Sequence, residues 1–272
     1  MIHNLLAPFA YTFMQRALVA AVVVGLLCSM MGTYVVLRKL AFIGDGLAHA
    51  SFAGIVIAYL RNIDYQVGAT VVAVATALGI GFVHRKGKIS LDTSIGVLFT
   101  AAFALGIFLM SRQNRYTLDL TSFLFGDILS VSNQDLIFIV ATGALVVLAA
   151  AFAYRDMLFS SFDPVVAEAA GIPVPWLDYG LLVALALTIV VSLQSVGIVL
   201  VAALLVTPAA AAYQLAKRFT PMLLLSALFG LMSTVGGLYA SYFLGSSSGA
   251  TIVLVATCLF FLAVAVKRFR RA

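Results

Sequence analysis

Long hydrophobic runs separated by short polar segments make up most of this 272-residue chain. Each run approaches the roughly 20 apolar residues that an α-helix needs to cross the core of a bilayer. If the first run does not cross cleanly, the count falls from nine to eight, so the pattern predicts an all-α polytopic transmembrane bundle of eight to nine spans. The predicted spans lie near 17–37, 45–60, 66–83, 93–110, 134–154, 179–195, 198–215, 221–243 and 250–266.

The sixth and seventh spans are joined in an almost continuous apolar stretch over 179–215. The stretch is too long for one crossing of the bilayer. Polar and small residues interrupt it between Ser192 and Gly197. We therefore expect a tight turn near Gln194 to Gly197.

The composition also indicates a membrane protein, because 64% of the residues are hydrophobic and only 10% are charged. Soluble domains carry about a quarter charged residues. The apolar content extends over the whole length, which predicts a single transmembrane domain, residues 1–272, embedded in the lipid bilayer. Cys28 and Cys258 fall inside apolar runs, so we expect small core residues rather than a disulfide or a thiolate metal site.

The 16 Lys and Arg residues are divided unequally between alternate loops, and their short clusters indicate membrane topology rather than nucleic-acid binding. One set of loops holds four of them, Arg16, Arg61, Arg112 and Arg115, and the other set holds the remaining twelve. Because cytoplasmic loops carry the excess of positive charge, the richer set is predicted inside. The carboxyl terminus is then cytoplasmic, and nine spans put the amino terminus outside.

Asp45 and His49 are ionisable residues inside an apolar segment. In a helix, a spacing of four residues puts the carboxylate and the imidazole on one face. This pair suits manganese, iron or zinc, and ionisable groups at membrane depth are functional by default. Alternatively, Asp45 caps the second span and His49 is a core histidine bonded to a neighbouring helix. Two ligands do not complete a metal site, so a second copy, a partner or water would have to supply the rest.

Two further segments carry motifs. Asp163, Pro164 and Gly171 predict a short helix with an N-cap, a first helical proline and a glycine stop, available for docking or serving only as a linker. Pro208 interrupts the regular hydrogen bonding of the seventh span, and Thr207 can satisfy the backbone group that is freed. That interruption indicates either close packing or a hinge in a pathway wall.

The basic segment from Gly81 to Ser90 resembles a phosphate-binding loop only superficially. Five residues rather than four separate Gly81 from Gly87, and Ile89 stands where a hydroxyl is needed. Without a nucleotide-binding motif the chain is predicted to be a transport subunit rather than an enzyme. Nucleotide-derived energy would have to come from another chain.

Taken together, several segments resemble the permease subunits of the manganese/zinc/iron ABC transporter family, in order and spacing over nearly the whole chain. They are Leu37-Arg38-Lys39, Ile43-Gly44-Asp45 with His49, Leu124-Phe125-Gly126-Asp127, Ser161-Phe162-Asp163-Pro164 with Gly171, Gln194-Ser195-Val196-Gly197, and Val206-Thr207-Pro208-Ala209-Ala210.

The resemblance implies a type II ABC importer-like permease in the bacterial cytoplasmic (inner) membrane. A homodimer would pair with cytoplasmic ATP-binding subunits and receive the ion from an extracytoplasmic metal-binding protein. Asp45 and His49 would contact the transported metal. The helix bounded by Asp163, Pro164, Glu168 and Gly171, within a cytoplasmic loop at about 155–178, would be the coupling helix that seats in the ATPase.

The resemblance leaves the metal open, with no permanently bound cofactor. Thr207-Pro208 resembles manganese-type members and Ala48-His49-Ala50-Ser51 resembles zinc-type members. Manganese is preferred, zinc is the second candidate and iron the third. Ala53 departs from the family pattern, because many members have a proline just before the glycine that corresponds to Gly54. The alternative functions are a self-contained proton-coupled secondary metal transporter and a scaffold in which the pair only fixes helix packing.

Overall fold

In the computed structural model, residues 11–112, 126 and 128–269 are described, and every regular element among them is helical. Nine of the described helices are long and apolar enough to cross a bilayer. They are α1 (Thr12–Leu37), α2 (Ile43–Arg61), α3 (Tyr65–Gly87), α4 (Leu91–Ser111), α5 (Asn133–Phe152), α8 (Val174–Leu193), α9 (Val196–Leu215), α10 (Phe219–Leu244) and α11 (Ser248–Phe269). Two short helices, α6 (Tyr154–Phe162) and α7 (Pro164–Ala169), lie between α5 and α8. The predicted all-α bundle is confirmed, with the higher of the two span counts.

The break between the sixth and seventh spans occurs where the sequence predicts it. Gly197 has φ 78° and ψ 166°, which is outside the helical region, in a stretch that is otherwise helical from Val174 to Leu215. Glycine adopts this backbone conformation without the steric penalty that other residues meet. The tight turn is therefore confirmed.

Local side chains define several helix ends. The Asp64 carboxylate accepts hydrogen bonds from the amides of Gln66 and Val67 at 2.7 and 3.3 Å, which caps α3. The Ser90 hydroxyl accepts from the amide of Thr93 at 3.1 Å and caps α4. Such caps satisfy amides that have no partner inside the helix.

The chain forms two compact units. The first comprises Met1–Val36, Leu120–Ala144 and Val191–Ala272, and the second comprises Leu37–Asp119 and Leu145–Val190. In the second unit α2 packs against both α3 and α4. A Cβ on Gly54 would lie 2.1 Å from the carbonyl oxygen of Gly68, so only glycine permits this approach of α2 to α3. The helix α2 continues unbroken through Ala53 and Gly54. The bend that a proline at position 53 would introduce is absent.

Large apolar side chains remain exposed on the outer helices of the chain. Examples on α5 and α11 are Ile137, Leu148, Leu254 and Phe261, each more than half exposed. Exposed apolar faces on helices of this length are expected to contact lipid or another copy of the chain.

Cys28 is buried as predicted, but Cys258 is exposed, so the core assignment was wrong for Cys258.

Two predicted loops need separate comment. The cytoplasmic loop predicted at 155–178 contains α6 as well as α7, so it is more ordered than its sequence suggested. Most of the segment that links α4 to α5, including Leu124, Phe125 and Asp127, lies outside the described residues.

Candidate metal site and coupling segment

Asp45 and His49 lie on one face of α2, one helical turn apart. Asp45 is the third residue of the helix and His49 the seventh. The Nδ1 atom of His49 is 3.4 Å from Oδ1 of Asp45, and the two side chains are 23% and 51% exposed respectively. The structure therefore brings the predicted pair together, on a surface that an ion can reach.

The tautomer of His49 follows from its hydrogen bond. Nδ1 is 2.9 Å from the backbone carbonyl oxygen of Asp45, and a carbonyl oxygen can only accept. Nδ1 must therefore carry the proton and donate it. In the neutral ring the lone pair is then on Nε2, which is the arrangement that metal-binding histidines use.

The two structural alternatives for the pair are less well supported. Phe42 occupies the N-cap position of α2, so Asp45 is not the cap. The recorded hydrogen bond of His49 is to its own helix rather than to a neighbouring one. Neither residue is therefore explained by capping or by a bond between helices.

Two aromatic residues of α4 contact the imidazole, and neither contact was predicted from the sequence. The rings of His49 and Phe103 meet edge to face, with centroids 5.2 Å apart and planes 87° apart. Phe99 lies one turn away on α4, with its centroid 6.2 Å from that of His49. The signal was present in the sequence as two phenylalanines four residues apart on a predicted span. The helix that they face could be identified only from the tertiary structure.

As a metal site, the pair alone would be incomplete. Within 11–112, 126 and 128–269 there is no group of three or more His, Cys, Asp or Glu residues that could hold a metal. A divalent transition metal generally takes four or more ligands. If the pair binds a metal, the remaining ligands would have to come from beyond these residues, from another chain or from water.

The predicted short helix is present as α7. The Asp163 carboxylate accepts a hydrogen bond from the amide of Val166 at 3.0 Å, and Pro164 occupies the first turn. Gly171 has φ +83°, a left-handed conformation that ends the segment. The predicted cap and stop are confirmed. Glu168 is exposed, as is Val165 at 75%.

Thr207 and Pro208 lie in α9, which belongs to the other compact unit. Pro208 is buried and the backbone around it remains helical, because Gly197 is the only residue of Val174–Leu215 with non-helical dihedral angles. A Cβ on Gly32 of α1 would lie 1.8 Å from the carbonyl oxygen of Leu205, so α1 and α9 approach very closely here. The contacts around Pro208 thus favour the packing interpretation over the hinge.

Known proteins resemble this chain over nearly its full length. A "Manganese transport system membrane protein MntC" from Halalkalibacterium halodurans is 46% identical over 254 residues, covering 93% of this chain and 87% of the relative. A "Probable iron transport system membrane protein" from Haemophilus influenzae is 36% identical and covers 98% of both chains. The solved structure titled "PsaBC from Streptococcus pneumoniae in complex with Fab" superposes with a TM-score of 0.85 at 34% identity. The superposition covers 97% of this chain and 95% of that chain.

These similarities confirm the predicted class, a membrane permease subunit of a metal-transporting ABC system, and do not favour the self-contained secondary transporter. The sequence model of the "ABC 3 transport family" matches residues 10–267. The chain therefore belongs to the ABC 3 transport family.

Proposed function

We propose that this permease carries a divalent transition metal ion, with Mn²⁺ as its first substrate and Fe²⁺ as its second, and that Asp45 and His49 are its metal ligands. The observation that carries the proposal is the His49 imidazole beside the Asp45 carboxylate on one face of α2, with Nδ1 bonded to the helix backbone and Nε2 left to bind a metal. One imidazole and one carboxylate suit both ions, and the relatives are named for manganese and iron. Zn²⁺ becomes the third candidate, behind the two metals in those names.

A second copy of the chain completes the site in this proposal. Two copies related by a two-fold axis would supply two carboxylates and two imidazoles to one ion. The incomplete shell of a single chain supports this, because the groups of one α2 cannot hold a metal alone. Weak coordination shared between copies also suits transport, in which the ion has to leave the site.

The remaining partners follow from membership of the family. A cytoplasmic ATP-binding subunit docks on α7 through Asp163, Pro164, Glu168 and Gly171 and hydrolyses ATP. An extracytoplasmic metal-binding protein delivers the ion. The excess of Lys and Arg in alternate loops supports a cytoplasmic carboxyl terminus in the bacterial inner membrane. α7 then faces the cytoplasm, where the ATP-binding subunit is found.

The test is uptake of radioactive manganese by the complete transporter in proteoliposomes. Uptake is expected to need ATP, to be reduced by excess Fe²⁺ more than by Zn²⁺, and to fall to background in the double variant Asp45→Asn, His49→Gln. Asp92→Asn is a matched control, because Asp92 is also an acidic residue in the first turn of a span but is exposed on α4. Undiminished uptake by the double variant would refute the assignment of the ligands. Uptake driven by a proton gradient without ATP would refute the energy source.

A further inference from the structure

The strongest unassigned polar cluster in the described residues is centred on Arg38. This residue directly follows α1 and lies seven positions before Asp45. Its side chain is only 14% exposed, which is unusual for an arginine at a helix end. It lines a cavity of about 240 Å³ together with Ser160, Ser161 and Asp178.

The guanidinium of Arg38 reaches two separate elements at once. It donates through Nε to the hydroxyl of Ser161 at 3.1 Å and through Nη2 to the hydroxyl of Ser160 at 2.8 Å, both on α6. Through Nη1 it donates to the carboxylate of Asp178 on α8 in an ion pair. A planar guanidinium can make these three bonds together, whereas a lysine ammonium presents a single point charge.

The partners of Arg38 flank α7 on both sides along the chain. Ser161 lies two residues before Asp163, the N-cap of α7, and Asp178 lies seven residues after Gly171, where the α7 segment stops. Both serine hydroxyls also donate to the carbonyl oxygen of Met157, so they are held within α6. One side chain thus joins the entry and the exit of the α7 segment.

On its other side, Arg38 is joined to the metal-site helix by a short connection. Only four residues, Lys39 to Phe42, separate it from the first residue of α2. The amide of Ile43 donates to the carbonyl oxygen of Leu40 at 3.0 Å, so the connection is a tight turn rather than a slack loop. Arg38, its three partners, α7 and α2 all lie in the same compact unit.

We propose that Arg38 is a positioning residue that transmits movement of α7 to the start of α2, and so links ATP hydrolysis in the partner to the Asp45–His49 site. The inference rests on the proposed function, because it needs α7 to dock the ATPase and the pair to hold the ion. Its physical basis is that the polar network holds α6, α8 and the α1–α2 turn at one point. A displacement of α7 then has to move the turn that leads into Asp45.

The experiment measures metal uptake and ATP hydrolysis in the same proteoliposomes, with the complete transporter and loaded metal-binding protein. In Arg38→Ala we expect the ions carried per ATP hydrolysed to fall by about tenfold, while the ATPase copurifies normally, because the network is lost but α7 is intact. Arg38→Lys should give an intermediate ratio. Arg85→Ala is the matched control, since Arg85 lines the same cavity but is exposed. This variant should carry as many ions per ATP hydrolysed as the natural chain.

A natural ratio of uptake to hydrolysis in folded Arg38→Ala would overturn the inference. If the melting temperature of that variant is lowered while the ratio stays natural, Arg38 has a structural role alone. If Arg38→Ala does not fold, Ser161→Ala removes one hydrogen bond and Asp178→Ala removes the ion pair, and natural ratios in both would refute the proposal. A wrong assignment of the metal ligands or of the docking helix would show instead in the Asp45, His49 and Gly171 variants.

Discussion

The α7 segment and the Asp45–His49 pair differ in how far residues close in the sequence determine their structure. In α7, the cap, the first-turn proline and the glycine stop all lie within nine residues, from Asp163 to Gly171. The pair on α2 has its histidine tautomer set locally, but its coordination shell is incomplete in the described chain. A short capped helix can therefore be complete within one segment, whereas a metal site built on this pair would depend on groups from other elements or chains.

The largest effect is expected from dimers that contain one natural chain and one Asp45→Asn, His49→Gln chain. If two copies share one ion, manganese uptake by such mixed dimers should fall by at least about tenfold, because half of the ligands are missing. Mixed dimers are isolated through two different affinity tags on co-expressed chains. Retention of half the natural uptake would mean that each chain transports alone, and dimers of two natural chains with the same tags are the control.

An intermediate effect is expected from Gly171→Ala. Gly171 has φ +83°, where an alanine costs about 1 kcal/mol, so association with the ATP-binding subunit should weaken by about fivefold. A pull-down titration with the purified ATPase measures this affinity. Gly180→Ala in α8 is the matched control, because a Cβ there also meets nothing within 4 Å but the residue lies in a regular helix. Equal affinity for Gly171→Ala and the natural chain would contradict docking through a correctly ended α7.

The smallest effect is expected from Phe103→Leu. Removing the edge-to-face contact frees the imidazole of His49 to reorient, and such contacts contribute about 0.5–1.5 kcal/mol. The manganese concentration needed for half-maximal uptake should rise by about threefold, with a smaller change in the maximal rate. Phe108→Leu, on the same helix but 57% exposed, should leave the value unchanged. A shift of the same size in both variants would indicate a general effect on α4 rather than orientation of His49.

Much of the fold could be predicted from sequence because its causes are local. The nine spans were found from apolar length alone, and most of their observed ends lie within a few residues of the predicted ones. The turn at Gly197 and the ends of α7 depend on residue types with specific backbone preferences. The same reasoning did not find α6, because a nine-residue helix next to a span has no length signal of its own.

The candidate site was only half predictable for the same reason. The spacing of Asp45 and His49 fixes their shared face once α2 is helical. The contact between Phe103 and His49 joins residues 54 positions apart in the sequence. The partners of Arg38 are farther away, up to 140 positions for Asp178. Pairings at that distance depend on which helices pack together, and the hydrophobic pattern of one span does not specify its neighbour.

The amino-acid sequence by itself determined that this chain is a bundle of membrane-spanning helices with an ionisable pair in its second span and a capped helix between its fifth and sixth spans. Those features follow from apolar length, helical spacing and capping chemistry, which act within a few residues. Only the tertiary structure decided which aromatic rings contact His49, and that Arg38 joins α6 to α8. These contacts depend on helix packing, which brings together side chains that are far apart along the chain.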